Sequence, residues 1–153
     1  MESKSALSFL VREFGSYEPP LFAVTPAVNG SPLSDMITVF ERQQGFEPAG
    51  GYSGLIPDHF NYGRLDQYFL GAAKDSFWAQ GVYLLGCECG EVGCWPLQCQ
   101  IRTDGNNVVW ENFSQPYRPE RDYSHFGPFV FDGEQYRTAV ADLEAGWPAR
   151  RSR

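Results

Sequence analysis

Between Gly81 and Phe113 three runs of strand-forming residues follow one another along the chain. Gly81-Val-Tyr-Leu-Leu-Gly86 enters a strand, and Trp95, Leu97, Cys99 and Ile101 alternate along a returning one. Asp104-Gly-Asn-Asn107 then turns the chain, so that Val108-Val-Trp-Glu-Asn-Phe113 pairs next. Alternation with period two marks half-buried strands, and turn residues between such runs mark hairpins. No repeating strand–helix–strand pattern is present to build a parallel sheet. An antiparallel meander is therefore the frame around which the remainder must pack.

The flanking segments supply further strands and two helices. Residues 6–14 and Leu21-Phe-Ala-Val-Thr25 are rich in strand formers on either side of Pro19-Pro20. Ser31-Pro32 reads as an N-cap followed by proline at the first helical position, and Leu33, Met36, Ile37 and Phe40 recur at helical spacing until Gly45. From Phe46 to Gln80 no period is sustained, apart from a short helix near Leu65–Leu70. Pro128-Phe-Val-Phe131 gives a last strand. Asp132 caps a final helix, with Gln135 at the capping-box position and Tyr136, Ala139, Val140 and Leu143 on one face. Gly146 and Pro148 are expected to stop that helix, leaving a disordered tail from about residue 148. The predicted class is α+β, a mostly antiparallel sheet carrying a cysteine hairpin and packed with one helix in the N-terminal half and one at the C-terminus. At 153 residues the chain suits a single domain over 1–153, with about two thirds of the unfolded surface buried.

Charge narrows the partners. Nineteen Asp and Glu against twelve Lys and Arg give a net charge of −7, a field that repels phosphate backbones and anionic lipid. Neither nucleic acid nor a membrane is expected as partner, whereas a basic protein is. The basic cluster Arg150, Arg151 and Arg153 reads as a solvated tail. Met1-Glu-Ser-Lys-Ser is not an export leader, and about 18 apolar residues never run together. The cytoplasm is the expected compartment, so the glycosylation-like triplets Asn29-Gly-Ser31 and Asn112-Phe-Ser114 carry no meaning as such and the cysteines are expected as thiols.

Four cysteines fall within Cys87-Glu-Cys89-Gly-Glu-Val-Gly-Cys94-Trp-Pro-Leu-Gln-Cys99. Their spacing departs from the paired two-residue spacing of common zinc knuckles. Two hairpin registers are open. With Cys89 opposite Cys94, three thiolates (Cys87, Cys89, Cys94) converge on one zinc ion, with His125 or Cys99 as fourth ligand. With a five-residue loop, Cys89 faces Trp95, Cys87 faces Leu97 and Leu85 faces Cys99, and three cysteines join an apolar face. The second register groups apolar with apolar and is the one expected, with the cysteines reduced and structural and Cys94 the most exposed. No cofactor is then expected; zinc is the alternative. A redox pair is the third reading, but no basic residue is near in sequence to lower a thiol pKa.

A catalytic constellation is not apparent, and the expectation leans away from an enzyme. Gly51-Tyr-Ser53-Gly-Leu55 resembles a nucleophile elbow but has Leu where the second glycine belongs. The polar stretch Gln115–His125 interleaves Tyr117, Arg118, Arg121, Asp122, Tyr123 and His125, residue types that concentrate binding energy, and is the candidate binding surface. The competing structural reading packs its tyrosines over the sheet and pairs Arg121 with Asp122 or Glu120.

The run Leu84–Leu97, followed by Gln115-Pro116, Arg118-Pro119, Asp122-Tyr123 and Gly127-Pro-Phe-Val-Phe-Asp132, resembles a family of uncharacterised bacterial proteins. The likeness extends to Val28-Asn-Gly-Ser-Pro-Leu33 and takes in Cys87, Cys89 and Cys94 but not Cys99. It implies a bacterial cytoplasmic protein and transfers no catalytic residue. The leading expectation is a non-catalytic binding protein, of the small acidic kind that neutralises a basic partner as bacterial immunity proteins do.

Overall fold

Each strand-forming run yields a strand, the returning one of the meander beginning at Leu97 and leaving Trp95 outside it. The computed structural model describes residues 4–59, 62–71, 81–90 and 94–151, the side chains of 148–151 excepted. Strands β1 (Leu7–Phe14), β2 (Leu21–Val28) and β3 (Ser31–Pro32) make a three-stranded antiparallel sheet. Strands β4 (Tyr52–Ser53), β5 (Val82–Cys87), β6 (Leu97–Asp104), β7 (Asn107–Ser114) and β8 (Phe129–Asp132) follow in sequence order in a five-stranded antiparallel sheet. The helices are α1 (Leu33–Gln44), α2 (Leu65–Phe69) and α3 (Gly133–Arg151). The α+β class and the meander expected from the alternation are what the chain adopts.

Two isolated bridges join the sheets. Val24 and Leu55 exchange both backbone hydrogen bonds, at 2.7 and 2.9 Å, and the Ser5 amide donates to Val130 at 2.7 Å beside β8. Backbone pairing therefore runs in a ring, from β1 through β2, Leu55 and β4 to β8 and back to Ser5. Gly54 permits the first bridge: a Cβ there would lie 2.5 Å from both the Thr25 hydroxyl and the Val24 carbonyl. The ring encloses a continuous cluster that includes Leu84, Leu85, Leu97, Cys99, Trp110 and Phe131. The buried Tyr136 hydroxyl accepts from Trp110 Nε1 and donates to the Phe69 carbonyl, tying α3 to β7 and α2.

Three boundaries depart from expectation. Asn29 and Gly30 both take positive φ (52° and 84°) between the paired Val28 and Ser31, a tight hairpin that draws Ser31-Pro32 into β3. The N-cap of α1 is therefore Pro32, with no side-chain cap, and Ser31 does not cap it. At its other end Gly45 (φ 75°) and Phe46 return amides to Arg42 and Glu41, and Phe46 packs on Phe40, a Schellman closure.

In α3, Asp132 accepts the Gln135 amide as a cap should, but the Gln135 side chain turns away from the capping box to Leu7. The helix also runs past Gly146 and Pro148 to Arg151. Proline inside a helix costs about 3 kcal/mol, and full burial of the Trp147 ring, 2% exposed, offsets a loss of that size.

Candidate metal centre

The cysteine segment adopts neither hairpin register. Leu85 pairs with Leu97 and Val82 with Cys99, while Leu84 is skipped by a bulge, so β5 and β6 part company well before the cysteines meet. Cys87 pairs on its other side with Tyr52 of β4, and Glu88 donates to the Gly51 carbonyl at 3.0 Å. A short strand that the sequence did not announce thus pairs with Cys87 on the edge away from β6, while Leu97 is taken by Leu85. Residues 88–90 and 94–96 lie outside the strands at the sheet's end.

At that end the sulfurs of Cys87, Cys89 and Cys94 all lie within 4.8 Å of one another. The Cys89 amide donates to Cys87 Sγ at 3.4 Å, and Gly90, at φ 97°, returns its amide to the Cys87 carbonyl at 2.9 Å. The sharp reversal at Gly90 folds Cys89 back over Cys87. Cys87 is half-buried, whereas Cys89 and Cys94 face solvent. Burial pushes the Cys87 thiol up to about 12, with the neighbouring Cys89 and Cys94 thiols adding to the rise and the Cys89 amide opposing it. Cys99 is fully buried in the core away from the three. The apolar placement expected for three cysteines therefore holds for Cys99 alone.

The Tyr/Arg segment proves to be the floor of this loop. Trp95, next to Cys94, donates from Nε1 to the Gly50 carbonyl at 2.9 Å. The guanidinium groups of Arg118 and Arg121 lie 4.7 and 5.3 Å from its ring centre. Arg121 is buried against Phe46 and reaches Glu41 at 3.5 Å and the Pro48 carbonyl at 2.9 Å, so it pairs with neither Asp122 nor Glu120. Glu41, with no exposed surface, also accepts from Gly50 N at 2.8 Å and from the hydroxyls of Tyr52 and Tyr123 at 2.6 Å each. Gln115, buried, donates to the Tyr52 hydroxyl at 3.0 Å. Of the six residues of the candidate binding surface, Arg121 and Tyr123 are thus interior, Arg118 half-buried, and Tyr117, Asp122 and His125 exposed.

His125 is not among the groups that gather with the three thiols. The histidine joined to the loop is His59, whose Nδ1 meets the Gly90 carbonyl at 3.1 Å. A carbonyl can only accept, so Nδ1 is the donor. Sequence reasoning missed His59 because residues 46–80 offer no period that would place it. Glu41 was more legible: Leu33, Ile37 and Glu41 share one helical stripe, and a carboxylate on an apolar stripe needs buried donors.

Ser53, the serine of the elbow-like motif, lies in β4 and donates to the Gly54 carbonyl at 3.0 Å, with no strand-to-helix turn around it. Among the described residues no helix is long and apolar enough to cross a membrane. Fold and loop together describe an α+β protein with three thiols clustered at a sheet end. No family model, curated protein or solved structure matches the chain.

Proposed function

We propose that the Cys87–Cys89–Cys94 loop binds a thiophilic divalent cation, zinc being the best fit. The observation that carries this reading is the mutual approach of the three sulfurs within 4.8 Å. Three thiolates around tetrahedral zinc, each at about 2.3 Å, stand about 3.8 Å apart, a contraction of at most about 1 Å from the present spacing. The Cys89 amide already donates to Cys87 Sγ, which stabilises a thiolate and orients it. A bound cation displaces the thiol protons, so metal and protons compete for Cys87 and retention should weaken as pH falls.

Three thiolates leave one position of the tetrahedron, which falls to solvent; His59, like His125, is not among the groups that gather with the sulfurs. Two exposed thiols and an open position leave the cation accessible, while the Trp95–Arg121–Glu41 floor fixes the loop from below. Metal analysis of protein purified without a histidine tag tests the proposal. About one equivalent of zinc is expected, retained by Cys99→Ser and lost with Cys87→Ser or Cys94→Ser; less than about a tenth of an equivalent in the parent protein removes the reading. A disulfide found among Cys87, Cys89 and Cys94 in the native protein would favour thiol chemistry instead.

A further inference from the structure

The free edge of β1 at Phe9 and Val11 shares no residue with the cysteine loop, which β1 meets only at its far end through Phe14. The Ala6 carbonyl accepts from Asn29 N, on the β2 side, whereas Ser5 donates to Val130 and Leu7 uses both its amide and carbonyl on the Gln135 side chain, at 2.9 and 2.7 Å. Backbone direction alternates along a strand, so Phe9 and Val11 point their N–H and C=O groups the same way as Ser5 and Leu7. Among the described residues neither backbone has a hydrogen-bond partner on that side. The register explains Pro26 as well: it stands opposite Phe9, where no bond to β1 is made and its missing N–H costs nothing.

Beyond Leu7 the helix α3 peels away from β8 and a groove opens between α3 and β1, of about 620 Å³. Leu7, Phe9, Val11, Ala139 and Leu143 give it apolar walls. Its charged rim is Asp132, Glu134 and Asp142, with Lys4 beside Asp132 at 3.9 Å. The groove has what a strand added to a sheet edge needs, namely unpaired main-chain groups and apolar contacts for alternate side chains. Gln135 already places a side-chain amide in the first position such a strand would fill.

We propose that this groove takes an extended peptide segment of a partner protein, bearing Lys or Arg at alternate positions, as an added strand on β1. The acidic rim and the charge of −7 choose a basic occupant, and the unpaired Phe9 and Val11 choose an extended one. The site is independent of the cysteine loop, and the surface lies away from the Tyr117–His125 segment first expected to bind.

A short fluorescent peptide of alternating lysine and valine tests it by anisotropy and by amide exchange. Binding is expected to slow exchange at Phe9 and Val11 and to weaken with added salt. It should fall by at least about tenfold when alternate peptide nitrogens are methylated, when glutamate replaces lysine, or in the Glu134→Lys/Asp142→Lys protein. Both substituted residues are exposed, so the variant keeps its fold. The proposal is overturned by absence of binding, by equal binding of the methylated or acidic peptide, or by unchanged exchange at Phe9 and Val11. Sedimentation as a dimer joined through β1 would overturn the choice of occupant in favour of a second copy.

Discussion

Glu41 shows how one residue type can decide a neighbourhood. A carboxylate removed from water must be met by donors, and four converge on it: one backbone amide, two phenols and one guanidinium. Removing the carboxylate strands the buried guanidinium of Arg121 and orphans the Gly50 amide. Glu41→Ala is accordingly expected to lower stability by about 3–5 kcal/mol, read as a shift in the urea midpoint with an unchanged slope. Glu41→Gln should cost less, because its carbonyl oxygen still accepts. If the alanine variant lost under about 1 kcal/mol, the network would be decorative rather than structural.

Elements were legible in proportion to how local their causes are. The strands of the meander and the αL ending of α1 were readable because alternation and a terminal glycine act within a few residues. Asn29-Gly30 is the strongest of short hairpin signals and points to β3, but the Ser-Pro helix start directly after it competes for the same residues. Asn112 likewise looked like part of a glycosylation triplet, yet it occupies positive φ (58°) where β6 and β7 slip by a residue, and its side chain holds Gln100 at 2.6 Å. The cysteine loop was only half legible. Its thiols depend on β4, two residues paired across a sequence gap, and on an arginine some 27 positions beyond Cys94. The close contact at Gly54 is an equally nonlocal cause. Gly54→Ala would force the Val24–Leu55 bridge apart and is expected to cost about 1–3 kcal/mol in denaturant melts, with amide protection lost at Leu55 before the rest.

At the scale of the whole molecule the tyrosines set an alkaline limit. Burial raises Tyr123 to about 12 from its ordinary value near 10, and raises Tyr52, Tyr62, Tyr68 and Tyr136 as well. A folded-state pKa above the unfolded one means that stability is whole below pH 10 and declines as pH climbs beyond it, because the unfolded chain releases protons that the native chain retains. Phenolate absorbance should therefore lag behind that of free tyrosine above pH 10 and then appear together with loss of the native signal. Smooth titration of all eight tyrosines in the folded protein would contradict the burial described.

The bond from Ser5 to Val130 joins residues about 125 positions apart. At a ribosomal rate of roughly 5–20 residues per second, the first strand emerges roughly 6–25 s before the segment that completes its edge. Until then the edge later shared by Val130 and Gln135 is open to any passing extended chain. The native ring, which leaves only a short stretch of that edge uncovered, has to be closed last, and refolding should be slow and sensitive to protein concentration.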